Sequence, residues 1–253
     1  MEKTLMRLEL VHVWQQYKKE NPVLRDVSLE IGSGESVAVI GPSGAGKTTL
    51  LRLFNRMVEP AEGQVLLDGT DLSNLAGERL REAQRKIAMI FQDFCLVEES
   101  SCLQNVLNGS LARLPFWRVC AGLFPEGEQE LAREALERVR LWHKAEEPVA
   151  SLSGGEKQRV AIARALVQQA PVLLADEPVA SLDPGTAEEI LELVRSLAEE
   201  KGLTVVMNSH QVAHARKYAR RIVGLREGRI FKDAPAEEWT EEDFAALYRG
   251  GPS

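Results

Sequence analysis

Val27, Leu29 and Ile31 alternate with polar residues in "RDVSLEIGSGESVAVIG", the period-two pattern of a half-buried strand. "GSGE" then marks a turn, and "SVAVI" is a short unbroken apolar run, expected of a strand covered on both faces. After the glycine loop that follows, Leu50, Leu53, Phe54 and Met57 recur at helical spacing. "EGQVLLDGTDL" predicts a hairpin or edge strand, and "KIAMIFQ" another buried strand. From about residue 94 to 164 the texture turns helical, and Leu131, Ala135, Val139 and Trp142 are expected to form one apolar stripe. Strand and helix alternate again from "PVLLADEP" through "LTVVMNS" and "QVAHARKYA". The tail predicts a hairpin turning at Glu227–Gly228 and a short amphipathic helix. This alternation implies a parallel sheet with helices on its faces, interrupted by a helical insertion.

Composition narrows the reading. With 44% apolar and 27% charged residues, the 253-residue chain can bury an ordinary core. A net charge of -7 weighs against a broad nucleic-acid footprint. Cys95, Cys102 and Cys120 lack zinc-type pairing and read as reduced thiols. "MEKTLMRLEL" shows no secretory signal. The apolar stretch 111–124 carries two arginines and a proline and falls short of the roughly 20 residues of a membrane span. The expectation is a cytosolic chain, soluble by itself.

"GPSGAGKTT" fits G-x-x-x-x-G-K-[ST] between a predicted strand and a predicted helix, the context a phosphate-cradling loop requires. Its candidate nucleotide-binding residues are Gly41, Ser43, Gly44, Ala45, Gly46, Lys47, Thr48 and Thr49. Backbone N–H groups of residues 44–48 would wrap the phosphates, Lys47 would reach the β/γ-phosphates, and the Thr48 hydroxyl would bind Mg2+. "VLLADEP" ends a strand in two carboxylates. Asp176 is placed to hold the Mg2+ shell, directly or through water, and Glu177 to polarise an attacking water. His210 follows a buried strand expected in the same sheet; it either contacts the γ-phosphate or caps the next helix. Gln92 ends the "IAMIFQ" strand, either as a polar terminator or as a sensor of Mg2+ or water. "LSGGEKQ" is a second glycine turn opening a helix, again suited to an anion. Val160, Ala163, Leu166 and Val167 give that helix a packing face.

Taken in order, "GPSGAGKTT", Gln92, "LSGGEKQ", "LLADEP" with "SLDP", and "NSHQ" resemble the ATP-binding subunit of an ABC transporter, over essentially the whole chain. The resemblance implies an α/β fold: a P-loop NTPase (RecA-like) core with an N-terminal antiparallel β subdomain and an inserted α-helical subdomain. It divides the single domain into a core of 1–93 and 165–253 and a helical subdomain of 94–164 carrying the signature motif. It implies ATP and Mg2+ as cofactors, with Lys47 and Thr48 as the Walker A site. Asp176 becomes the Walker B carboxylate, Glu177 the catalytic base, Gln92 the Q-loop, Ser181 to Asp183 the D-loop and His210 the switch histidine. Two copies would sandwich two ATP molecules head to tail, with Ser153, Gly154, Gly155, Glu156 and Asp183 facing the nucleotide held by the other copy's Lys47. An aromatic residue near the start would stack on adenine; Tyr17 fits the spacing better than Trp14.

"ADEPVASLDP", "NSHQVAHARKYARRIVGLREGRI" and "NVLNGSLARLPFWRVCAGLFP" are further similar to the phosphonate-import ATPases, which implies uptake of phosphonates or related oxyanions such as phosphite. Two departures stand out: Glu156 where that subfamily typically has Gln, and "CLVEESSCLQ" after Gln92. The implied partners are a second copy, separate transmembrane permease subunits and, indirectly, a periplasmic or extracellular solute-binding protein, with the chain peripheral on the cytoplasmic side of the inner membrane. Phe116 and Trp117 either line a permease-docking groove or belong to the insert's own core. An exporter or lipoprotein-release ATPase and a soluble ATPase acting on DNA or ribosomes are the competing expectations. "NSHQ" and "ADEPVASLDP" argue for import; the acidic charge and the lack of coiled coils, zinc modules or a second cassette argue against the last.

Overall fold

The alternation at Val27, Leu29 and Ile31 becomes a strand in the computed structural model, which describes residues 6–17 and 22–249. The first five residues and the side chain of Phe116 lie outside the described residues. Strand β1 (Leu8–Gln16) pairs antiparallel with β2 (Pro22–Ile31) so that Leu8 faces Ile31, Leu10 faces Leu29 and Val13 faces Val27. The apolar side chains therefore share one buried face. After β3 (Ser36–Ile40) and helix α1 (Lys47–Phe54), β4 (Glu62–Leu67) and the short β5 (Thr70–Asp71) complete a four-stranded sheet of order β2-β1-β4-β5.

The second sheet explains the unbroken apolar runs. Its strands are β3, β6 (Ile87–Ile90), β7 (Val172–Ala175), β8 (Thr204–Ser209), β9 (Arg221–Arg226) and β10 (Arg229–Pro235), in the order β10-β9-β3-β8-β7-β6. Only β10 runs antiparallel; it returns from β9 through the turn at Glu227–Gly228. Every residue of β6, β7 and β8 is buried, as parallel strands covered on both faces must be. The register brings Ile40 beside Ser209, Ala175 beside Met207 and Ile90 beside Ala175. The segments that leave these strand ends thus emerge along one edge, where open α/β sheets bind ligands.

Helix α1 lies between the two sheets, touching β1, β2, β4 and β8. The other helices are α2 (Gly77–Arg85), α3 (Cys102–Leu107), α4 (Phe116–Cys120), α5 (Glu126–Arg138), α6 (Gly154–Val167), α7 (Pro184–Lys201), α8 (Val212–Tyr218) and α9 (Glu241–Tyr248). The insertion expected over 94–164 holds α3, α4, α5 and most of α6; α6 continues past residue 164 to Val167. One continuous apolar core joins α3, α5 and α6 to the sheet residues Ile90, Leu173 and Met207.

Two stripes differ from expectation. Met57 lies beyond the end of α1 and is 53% exposed, because the chain breaks from helix at Asn55 and turns through Arg56 at φ +56°. On α5 the buried face is Ala132, Ala135, Leu136 and Val139; Leu131 is half-buried at its flank and Trp142 sits exposed in a later turn. Helix α2 is not legible in the pattern, since Ala83 alone of its residues is buried. Among the described residues no helix is long and apolar enough to cross a membrane.

Candidate active site

The loop between β3 and α1 is built as a cradle. Gly46 adopts φ +103°, and a Cβ there would meet Leu24 Cδ2 at 2.7 Å and Val23 O at 2.9 Å, so only glycine lets the loop close against β2. Gly41 and Ala45 are buried at its base, while Ser43 and Gly44 are exposed at its rim. Lys47 opens α1, almost wholly buried, and its Nζ donates to Gly41 O (2.8 Å) and Pro42 O (3.1 Å). Burial pushes its ammonium below the usual lysine range, and the charges of Glu177 and Asp176 oppose that shift.

Two short contact chains converge beside this loop. In the first, Thr48 Oγ1 donates to Asp176 Oδ1 (2.9 Å), which also accepts from Asn208 Nδ2 (2.7 Å). Asp176 is 2% exposed, and its own N–H donates to Ile90 O (2.9 Å), which fixes it to the end of β6. In the second, His210 Nε2 contacts Glu177 Oε1. Glu177 stands at φ +51°, a left-handed conformation unusual for a side chain of its kind. That turn sends the two consecutive carboxylates apart, Asp176 to Thr48 and Glu177 to His210.

The donor set fits a hard cation and a polyphosphate. The Thr48 hydroxyl and the Asp176 carboxylate, side by side, are ligands of the kind Mg2+ takes, in the small number it takes from protein when substrate phosphates supply the rest. Among the described residues no group of three or more His, Cys, Asp or Glu side chains could hold a metal by itself. The loop's backbone donors and buried ammonium fit phosphate.

Tyr17 and Trp14 separate in the structure. Tyr17 OH lies 3.2 Å from Thr49 Oγ1 on α1, and its ring is 61% exposed, open to a flat ligand. Trp14 is half-buried, with the Arg229 guanidinium 5.9 Å from its ring centroid. Gln92 follows β6 at the same edge, exposed and without a hydrogen bond among the described residues.

The second glycine turn lies elsewhere on the chain and shares no hydrogen bond with the first among the described residues. Ser153 caps α6 in a reciprocal box: Ser153 N–H and Oγ both donate to Glu156 Oε2 (2.9 Å each), and Glu156 N–H donates to Ser153 Oγ (3.4 Å). Lys144 Nζ sits 2.8 Å from Glu156 Oε1. This partner, first, and the Ser153 bonds, next, pull the Glu156 carboxyl down to about 2. A Cβ on Gly155 would meet Thr186 Cγ2 at 2.6 Å, so glycine there lets α6 start directly against α7. Asp183 caps α7 by accepting from Thr186 N–H (3.1 Å); the Thr186 hydroxyl, first, and this N–H, next, hold its carboxyl below the usual range. Val160, Ala163 and Val167 are buried behind the turn and Leu166 half-buried, as the sequence predicts.

Two contributors escape a reading of the sequence. Asn208 reads as the polar end of an apolar strand, yet its amide holds Asp176. Arg164 reads as one more charge on a helix, yet its guanidinium donates to the carbonyl oxygens of Phe94 (2.8 Å) and Cys95, just beyond Gln92.

Comparison with known proteins sharpens this geometry. The ABC transporter family model matches residues 24–180, more than half of the chain. A phosphonates import ATP-binding protein of Ruegeria sp. (strain TM1040) is 42% identical over 246 residues, 97% of this chain and 96% of that protein. Its namesake in Staphylococcus aureus (strain USA300) is 41% identical over 244 residues, 96% and 95% of the two chains. Among solved structures, the dimeric bacterial ABC transporter cassette MJ0796 superposes with a TM-score of 0.81 at 34% identity, over 92% of this chain and 100% of that one. The same cassette in a post-hydrolysis state bound to ADP and Pi superposes at 0.79 with the same identity and coverage. The cbiO1 subunit of the Clostridium perfringens transporter complex cbiONQ superposes at 0.81, at 28% identity over 94% of this chain and 92% of that chain.

Proposed function

The chain belongs to the ABC transporter family of ATP-binding cassettes, and on that premise we propose that it hydrolyses ATP to drive import of a phosphonate or related phosphorus oxyanion. The observation that carries the ATPase reading is the meeting, at one sheet edge, of a buried Lys47, the Thr48–Asp176 pair and the Glu177–His210 pair. The names of the relatives support the solute class.

Each residue has its part. The N–H groups of the loop and Lys47 bind the β/γ-phosphates, Lys47 exchanging its carbonyl partners for phosphate oxygens. Thr48 and Asp176 hold Mg2+, which neutralises charge on the phosphate oxygens when bound. Glu177 takes the proton of the attacking water, and His210, in contact with it, orients the carboxylate and the γ-phosphate. Gln92 at the neighbouring strand end contacts the same cation or water. Tyr17 stacks on adenine. Ser153, Gly154, Gly155, Glu156 and Asp183 complete the site of a second copy bound head to tail, which accounts for a glycine turn remote from the chain's own loop.

The permease subunits dock at a cleft of about 990 Å3 between α2, β6 and the inserted helices, lined by Met57, Arg85, Leu114, Val119 and Arg164. Leu114, Pro115 and Val119 of that lining bracket the exposed Trp117 in sequence, which supports docking with α4 toward the permease and the cassette peripheral to the membrane. A binding protein on the far side delivers the solute.

Reconstitution with its permease and binding protein tests the proposal. ATPase stimulation by phosphonate, phosphite, hypophosphite or phosphate is the expected result, reduced about 100-fold or more by Glu177→Gln while ATP stays bound. Stimulation by an unrelated solute alone would overturn the solute class, and near-normal turnover in Glu177→Gln would overturn the base.

A further inference from the structure

Strand β8 sends two side chains, Asn208 and His210, toward the two carboxylates at the end of β7, and only His210 has a part so far. Asn208 is wholly buried among Val205, Val206 and Met207. An amide in such a place costs free energy unless its polar ends are bonded, whereas another aliphatic residue would continue the run without that cost. One end is bonded: Nδ2 donates to Asp176 Oδ1 at 2.7 Å, the same oxygen that accepts the Thr48 hydroxyl at 2.9 Å. The other end, Oδ1, is buried and has no donor among the described residues. The amide cannot turn round, because its oxygen would then face a carboxylate oxygen. Asp176 Oδ2 accepts no hydrogen bond among the described residues.

We propose that Asn208 is a positioning residue for the cation. Together with Thr48 it occupies Oδ1 of Asp176 and so directs Oδ2 to the metal shell, and its unpaired Oδ1 accepts from a water in that shell. Mg2+ dehydrates reluctantly and demands near-octahedral geometry, so a fixed acceptor for its water and a fixed carboxylate both count. Loss of such outer-shell partners lowers metal affinity about 10- to 100-fold. The inference rests on the reading of Thr48 and Asp176 as the pair that holds Mg2+.

The test uses the purified full chain saturated with ADP, titrated with Mn2+ and followed by electron paramagnetic resonance. ADP affinity in EDTA is measured alongside. Asn208→Leu keeps the branched shape and removes the amide; Asn208→Ala is the second variant should the larger Leu fail to fold; Asp176→Asn is the control. The expected result is Mn2+ affinity about 10-fold weaker in the Asn208 variants, with metal-free ADP affinity within about twofold of the parent. Unchanged Mn2+ affinity in the Asn208 variants, with a loss in Asp176→Asn, would overturn the role of Asn208 alone. Unchanged affinity in Asp176→Asn would overturn the metal reading itself. An equal loss of metal-free and metal-dependent binding in the Asn208 variants would reduce Asn208 to a packing residue.

Discussion

Glu156 places a carboxylate in the first turn of α6, where the helix dipole favours negative charge, and Lys144 and Ser153 hold it there. Its carboxyl titrates at about 2 in the folded chain against an ordinary 4.5. A depressed carboxyl stabilises the fold fully above the unfolded value, and that contribution fades as pH falls from about 4.5 toward about 2. Glu156→Gln keeps an acceptor for the capping box but removes this charge. Wild type should therefore exceed Glu156→Gln in urea midpoint at pH 7, and the gap should narrow below about pH 4.5 and close only near pH 2. Glu156→Ala, which removes the box, should cost about 1 kcal/mol at pH 7. At this scale much was legible. Lys47, Thr48, Asp176 and Glu177 announce themselves because their chemistry depends on spacing along the chain. Asn208 does not, since its meaning lies in a contact between two strands that are 32 positions apart.

Helix α6 ties the second glycine turn to the segment just beyond Gln92. Its start carries Ser153, and eleven residues on, Arg164 clamps the carbonyls of Phe94 and Cys95. Those two residues stand consecutively at φ +58° and +49°, a conformation that costs each of them of order 1 kcal/mol or more. The guanidinium fork offsets that strain and has no acidic partner among the described residues; burial lowers its pKa. Arg164→Ala should destabilise the chain by about 2 kcal/mol in urea, and limited proteolysis should cut first within 93–97. Arg164→Lys, which keeps the charge but not the fork, should fall between the two. The packing face of α6 was readable from period alone. The stripe of α5 held at Ala135 and Val139, but Ala132 and Leu136 complete it in place of Leu131 and Trp142, since the helix ends at Arg138 and Ala132 is small enough to read as neutral. Helix α2, nearly all polar, leaves no period to read.

On the proposed reading, the whole molecule presents half-sites. The succession of strands along the chain, the hairpin tail and the helical insertion followed from apolar runs and turns; the order of strands across the sheet did not. The antiparallel sheet's partners did not, because pairing between β1 and β4 is set by the α1 side chains packed beneath them. The pairing of two copies is checked by mixing chains. Lys47→Ala and Gly154→Asp should each be inactive as homodimers, and the mixture should regain up to about a quarter of wild-type activity, from heterodimers with one intact site. Gly154 suits this better than Gly155: a Cβ at Gly154 meets Leu182 Cδ2 at an ordinary 3.4 Å, while one at Gly155 collides with Thr186 and would disturb the chain before any partner arrives. Heterodimers proven by mass but inactive would count against shared sites, unless both must fire together.

The box at Ser153 has one further consequence. In a lone chain the N–H and hydroxyl of Ser153 are already taken by Glu156, an anion tethered three residues away. A tethered competitor acts at high effective concentration, against which a freely diffusing phosphate at cellular levels competes poorly. On the proposed dimer reading, an anion presented just as rigidly, such as a γ-phosphate clamped in another copy, would be the one suited to dislodge it. The turn would then work as a threshold detector, passing over phosphate in solution and answering to a loaded neighbour.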